Sequence, residues 1–222
     1  MAQLVYALNR LHDLLNRFRA LDFLAPLAIR LYLAPVMLVA GWHKVENFDS
    51  VAQWFGNTEW GLGLPMPAVM LSLAIIAELA GGVLILVGLA TRYAALPLIF
   101  TMLVAAVTAH WDNGWFAIAP SDPATSAARP LAALGIDGAE QSLANSEQVA
   151  ARLEQARSLL RENGDYSWLT AKGSYVILNN GIEFATTYLI MLLVLFFGGA
   201  GRFFSVDYWI ASRFRDYQED IV

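Results

Sequence analysis

Long apolar runs alternate with short polar connections along this chain, and only one hydrophilic stretch of any length interrupts them. A helix needs about 20 mostly apolar residues to cross about 30 Å of hydrocarbon. Four stretches qualify: residues 24–42, 68–90, 94–110 and 182–199. The pattern therefore predicts an all-α integral membrane protein built as a four-transmembrane-helix bundle. The first run does not read as a cleaved signal. It begins late, is too long, and leads into Gly41-Trp42-His43-Lys44 instead of a small-residue cleavage motif.

The remaining segments fit around these spans. Leu4, Leu8, Leu11, Leu15, Phe18 and Leu21 follow one another at steps of four and three, with Asn9, Arg10, Asn16 and Arg17 turned away. That spacing predicts an N-terminal amphipathic helix lying in the interface plane. The tail Phe203-Phe204-Ser205-Val206-Asp207-Tyr208-Trp209 has the mixed aromatic and polar character of the same headgroup zone. Residues 112–180 read as a long extracytoplasmic loop. Pro120, Pro123 and Pro130 predict extended or turn structure at its start. Asn145 and Gln148 are spaced as a capping box, Val149, Leu153, Ala156 and Leu160 repeat at helical spacing, and Asn163-Gly164 ends the pattern. One short helix is expected there, too small for an independent domain, so residues 1–222 read as a single membrane domain.

Basic residues near helix ends set the expected orientation. Arg10, Arg17 and Arg19 precede the first span, Arg92 lies between the second and third, and Arg202, Arg213 and Arg215 follow the fourth. The loop after the first span offers only Lys44. Both termini are expected in the cytoplasm of a bacterial inner membrane.

Composition sharpens this picture. Of 222 residues 58% are hydrophobic and only 15% charged, where soluble domains average about a quarter charged. The net charge of −5, with no basic stripe, argues against a nucleic-acid partner. There is no cysteine, which removes disulfides, thiolate metal sites and iron–sulfur clusters together. Metal binding would rest on three histidines and the carboxylates.

Two places carry candidate chemistry. Arg30 lies inside the first span and Glu78 near the middle of the second; isolated charges at that depth are expensive, so the two are expected to form an intramembrane pair. Arg30 shares a helical face with Ala34, Met37, Gly41 and Lys44, while Gly81 and Gly82 beside Glu78 allow close helix packing. The second place is the outer surface, where the expected topology collects His43, Lys44, His110, Asp112 and Glu183. Two histidines and two carboxylates suit zinc or copper, with His43 and His110 as the nitrogen ligands, or else a quinone headgroup. The same residues also serve as ordinary interface anchors. His12 belongs to the polar side of the N-terminal helix.

The string Arg30-Leu31 with Gly41-x-x-Lys44, then Gly63-Leu64-Pro65, Glu78-x-x-Gly81-Gly82 and Gly88-x-x-Thr91-Arg92, resembles the DoxX family of small bacterial four-helix membrane proteins. The resemblance covers roughly residues 25–110. The longer third loop and the Arg-rich ends look like the HvfX branch, which is associated with maturation of copper-binding modified peptides. The family implies a redox link, through a subunit of thiosulfate:quinone oxidoreductase and through redox-defence complexes. It has no assigned catalytic residues, so only Arg30, Gly41, Lys44, Glu78, Gly81, Gly82 and Arg92 carry over as matching positions.

Three functions follow. The favoured one is a quinone-linked or redox-associated subunit of a membrane complex, possessing no haem or flavin motif of its own and therefore dependent on partner proteins. The others are an accessory or assembly subunit without chemistry, and a small transporter or proton path using Glu78. Pro35 and Pro97 keep the transporter reading open, although no inverted repeat is visible.

Overall fold

The computed structural model describes residues 5, 6, 9, 10, 12, 15–136 and 138–214. Leu4, Leu8 and Leu11 of the N-terminal arm expected as an amphipathic helix, and Arg215 of the tail, lie outside these. The described part is helical, with a single isolated bridge between Ile118 and Leu178. Two compact units divide the chain: residues 1–104 with 187–222, and residues 105–186.

The first unit holds the apolar helices. α1 (Leu24–Glu46), α2 (Phe48–Gly56), α3 (Pro67–Val87) and α4 (Thr91–Val104) follow in order, and most of α8 (Glu183–Gly198) and α9 (Val206–Phe214) complete it. Among the described residues three segments are long and apolar enough to cross a membrane: Phe18–Glu46, Pro67–Val87 and Thr91–Asn113. α8 is equally apolar but has only 16 residues, about 24 Å of rise against about 30 Å of hydrocarbon. The core joins Leu33, Ala34 and Met37 of α1 to Ala77 and Ile85 of α3, Leu98 of α4, and Leu192 and Leu195 of α8.

Glycines set the spacing between α3 and its neighbours α1 and α4. A Cβ on Gly41 would lie 2.9 Å from Leu79, one on Gly82 3.0 Å from Leu38, and one on Gly81 3.0 Å from Leu98. The contacts at Gly41 and Gly82 hold α1 against α3 in one antiparallel register, with Gly41 level with Glu78 and Ala34 level with Gly82, and the contact at Gly81 admits α4 on the other side. Where lipid supplies no hydrophobic drive between helices, small residues that admit close approach do this work. α3 ends at Gly88, whose φ of 70° is left-handed, and the Leu89 N–H returns to the Leu84 carbonyl at 2.9 Å. That closing turn is natural for glycine and strained for other residues.

In the second unit the chain leaves α4 through a π-helical segment, Ala105–His110, and a short 3₁₀ turn, Trp111–Asn113. α5 (Ala128–Ala133) and α6 (Ala139–Asn163) pack together, and α7 (Tyr166–Leu169) follows. Two expectations are corrected here. Pro130 stands in the first turn of α5 and not in extended chain, a place where its missing N–H would have had no partner anyway. α6 starts at Ala139 after a left-handed Gly138, so Asn145 and Gln148 lie inside it and cap nothing. Of the apolar repeat read from the sequence, Val149 and Leu153 are buried, Leu160 is half-buried and Ala156 is exposed.

Candidate functional site

Arg30 and Glu78 are not partners. The register that brings Gly41 level with Glu78 carries Arg30 to the far end of α3, where its guanidinium meets Ile85 and Leu86. Ile85 is about 10 Å beyond Glu78 along the helix axis. There Arg30, 1% exposed, donates Nε to the Ile85 carbonyl at 2.7 Å, Nη2 to Leu86 at 2.8 Å, and Nη1 to Ala200 and Phe204 at 2.9 and 3.0 Å. Three of the four carbonyls belong to helix-terminal or loop backbone that has no helical N–H to accept. The planar fork of donors satisfies them in one stroke.

Glu78 pairs instead with Lys44. Lys44 Nζ lies 2.8 and 2.7 Å from the two carboxylate oxygens, and the two side chains are 22% and 5% exposed. The reason is geometric. Lys44 stands at the C-terminal end of α1 and reads as a surface anchor, but helical side chains lean toward the N-terminus of their own helix. Its stem therefore runs back into the bundle, with Nζ also 3.5 Å from the Ala40 carbonyl. A signal was present in the sequence: Gly41-x-x-Lys44 and Glu78-x-x-Gly81 set each charge three residues from a packing glycine.

Beside this pair lies a groove of about 810 Å³. Pro35, Val36, Val39 and Ala40 of α1 face Val51, Trp54 and Phe55 of α2 across it, and His43 and Lys44 stand among its lining residues. α2 owes its place to the polar turn after α1: Asn47 Nδ2 donates to the His43 carbonyl at 2.9 Å, and the Val51 N–H to the Asn47 carbonyl at 3.0 Å. The result is a concave apolar surface with a cationic group and an imidazole set among its walls.

The other residues expected at the outer surface belong to the second unit and have local work there. His110 Nδ1 lies 2.8 Å from the Asn180 carbonyl oxygen, and a Glu183 carboxylate oxygen accepts the Ala117 N–H at 2.9 Å. Asp112 is exposed in the 3₁₀ turn. Among the described residues no three His, Asp or Glu side chains are grouped as metal ligands.

A chain whose described part is helical, with three membrane-length apolar segments there and a lysine–glutamate pair held between two of them, is an integral membrane protein. The DoxX family model matches residues 25–111, which hold α1 from Ala25 on, α2 to α4, and Arg30, Lys44 and Glu78. Over 114 residues the chain is 32% identical to "Inner membrane protein YphA" of Escherichia coli K12, covering 48% of this chain and 79% of that protein. The chain belongs to the DoxX family. No solved structure matches it.

Proposed function

We propose that this protein is a four-span inner-membrane protein with both termini in the cytoplasm, and that it serves a membrane redox complex by holding a quinone headgroup in the groove between α1 and α2. The observation that carries the reading is the groove itself. Its volume falls within the about 300–1,000 Å³ typical of small-molecule pockets, its walls are apolar, and few polar groups line it. The residues fit such a ligand: Trp54 and Phe55 offer flat apolar faces to a ring, and Lys44 Nζ and His43 offer donors to its carbonyl oxygens. Glu78 fixes the Lys44 ammonium in place, so a carbonyl meets a preset donor. A quinone supplies two-electron redox chemistry when bound. This chain contributes binding and orientation, and with no cysteine it holds no thiolate centre to feed electrons, which assigns that task to partner proteins. A four-span count treats α8 as the last span, its shortness made up by the interfacial residues around it, as short spans commonly are.

The test is ligand content. Protein extracted in mild detergent and treated with chelator should retain quinone in organic extracts. His43→Ala and Trp54→Ala should each lower that content while the protein still elutes as a folded species. Quinone content equal to that of an unrelated membrane protein prepared in parallel would refute the reading.

A further inference from the structure

The membrane-length segment Thr91–Asn113 runs on into the second unit, and just beyond its end two extended stretches pair antiparallel. The Ala119 N–H donates to the Ile177 carbonyl and the Asn179 N–H to the Ala117 carbonyl, both at 2.9 Å, with Ile118 opposite Leu178. The Gly181 N–H donates to the Phe116 carbonyl at 3.0 Å and the Ile182 N–H to the Gly114 carbonyl at 2.9 Å. Residues 114–119 and 176–182 thus form a short ribbon.

Its sidedness is inverted. A ribbon with one face in water turns apolar side chains inward and polar ones outward. Here the small residues are inside, with Ala117 4% and Ala119 5% exposed. Ile118 between them is 49% exposed, and its partner Leu178 72%. Val176, two residues before Leu178 and so on the same side of its strand, is exposed as well. Neither stretch contains a charged residue. Large apolar groups outward and small ones inward suit a surface that meets lipid, and water penalises them.

A second observation sets the depth. Asn113, the last residue of the membrane-length segment, donates Nδ2 to the Asn180 carbonyl at 3.2 Å, and His110 Nδ1 lies 2.8 Å from the same oxygen. Asn179 Nδ2 donates back to the Asn113 carbonyl. Leu178 is two residues from Asn180, about 7 Å of extended chain. The headgroup layer beyond the hydrocarbon is about 5–8 Å thick. The hydrogen bonds therefore hold the ribbon at the level of that layer. Trp111 and Trp115 are exposed at the same junction, and tryptophan concentrates at membrane–water interfaces.

We propose that the outward face of this ribbon, formed by Ile118, Val176 and Leu178, is immersed in the bilayer interface and contacts lipid. The face continues the lipid-contacting surface of Thr91–Asn113, and at that depth lipid is the solvent it meets first. The ribbon thereby seats the start of the second unit on the membrane instead of leaving it in water.

The chain has no cysteine, so single cysteines placed in the full-length protein carry a nitroxide label without background. Ile118→Cys and Leu178→Cys would be compared in phosphatidylcholine nanodiscs with two references. Val83→Cys lies on the exposed side of α3, and Glu147→Cys on the exposed side of α6. Relaxation by oxygen, which concentrates in lipid, is measured against relaxation by a water-soluble nickel chelate. Positions 118 and 178 should give an oxygen-to-nickel ratio several-fold above that of position 147 and near that of position 83. A ratio equal to that of position 147 overturns the proposal. So does a label shielded from both reagents, as a second copy or a protein partner would shield it. The wild-type protein gives a reading that does not depend on whether a variant folds. Phosphatidylcholine with a diazirine in its acyl chain should, on irradiation, label the peptides covering residues 114–119 and 176–182 as well as the spans. Labelled spans with both stretches unlabelled would sink the idea.

Discussion

Two buried charges inside one apolar bundle have different solutions. Arg30 is satisfied by four backbone carbonyls and acts as a staple between α3 and the segment that follows α8. Glu78 is satisfied by one flexible lysine at 2.7 and 2.8 Å. This predicts distinct mutational signatures. Breaking a buried pair by removing one partner costs about 3–5 kcal/mol in soluble proteins. Glu78→Gln and Lys44→Met should each lower the melting temperature in detergent, and the double variant should recover part of the loss. Arg30→Gln combined with Glu78→Gln should instead give additive losses, because the two side chains share no partner. Additive losses for the Lys44 and Glu78 pair, with coupling between Arg30 and Glu78, would reverse the assignment. Gly88 belongs to the same neighbourhood: with φ at 70° and Arg30 Nη2 2.6 Å from the position of a Cβ, even alanine there strains the turn and displaces the staple.

Helix pairing is closest at the glycines, so it is sensitive at particular positions. A leucine at Gly82 would drive its side chain into Leu38, whose Cγ is 3.0 Å from the Cβ position, with the Ala34 carbonyl 3.5 Å away. Overpacking of this kind costs about 1–3 kcal/mol. Gly82→Leu should therefore lower the melting temperature and reduce quinone retention, since α1 carries one wall of the groove. Val83→Leu is the matched control on the next residue, which is 50% exposed, and should change neither measurement. Equal effects from both substitutions would mean that close approach of α1 and α3 is not what Gly82 provides. α4 shows a different device. Its first N–H groups are capped by Asp207, more than a hundred residues away in the chain, so the start of that helix depends on the placement of α9.

For the whole molecule the decisive question is which segments cross the membrane. The apolar segments and the family assignment place the protein in a membrane, and the uneven distribution of arginine predicts its orientation. A reporter fused after Gln141, in α6, should behave as extracytoplasmic, and one fused after Phe214 as cytoplasmic. Both reporters on one side would mean that α8 does not span, and the bundle would have three crossings. A cytoplasmic signal after Gln141 would invert the orientation.

Hydropathy alone located the long apolar helices α1, α3, α4 and α8 but not the short α2, because only a run of about 20 residues leaves a compositional mark that no packing detail erases. It also marked Arg30, Glu78 and the packing glycines as exceptional, since charge and small size stand out against an apolar background. Pairing was beyond its reach. Arg30 and Glu78 are natural partners by sign, and the register of α1 against α3 separates them by about 10 Å. That register is set by which glycine meets which side chain, a relation between two helices that neither sequence segment contains. The same holds for Lys44, which the chain presents at a helix end and the side-chain tilt returns to the interior. Likewise Asp207 caps α4 only once the bundle has closed. Local sequence determined which residues had to be buried or paired, and tertiary packing decided with what, because partner choice depends on distances across helices that share no local sequence.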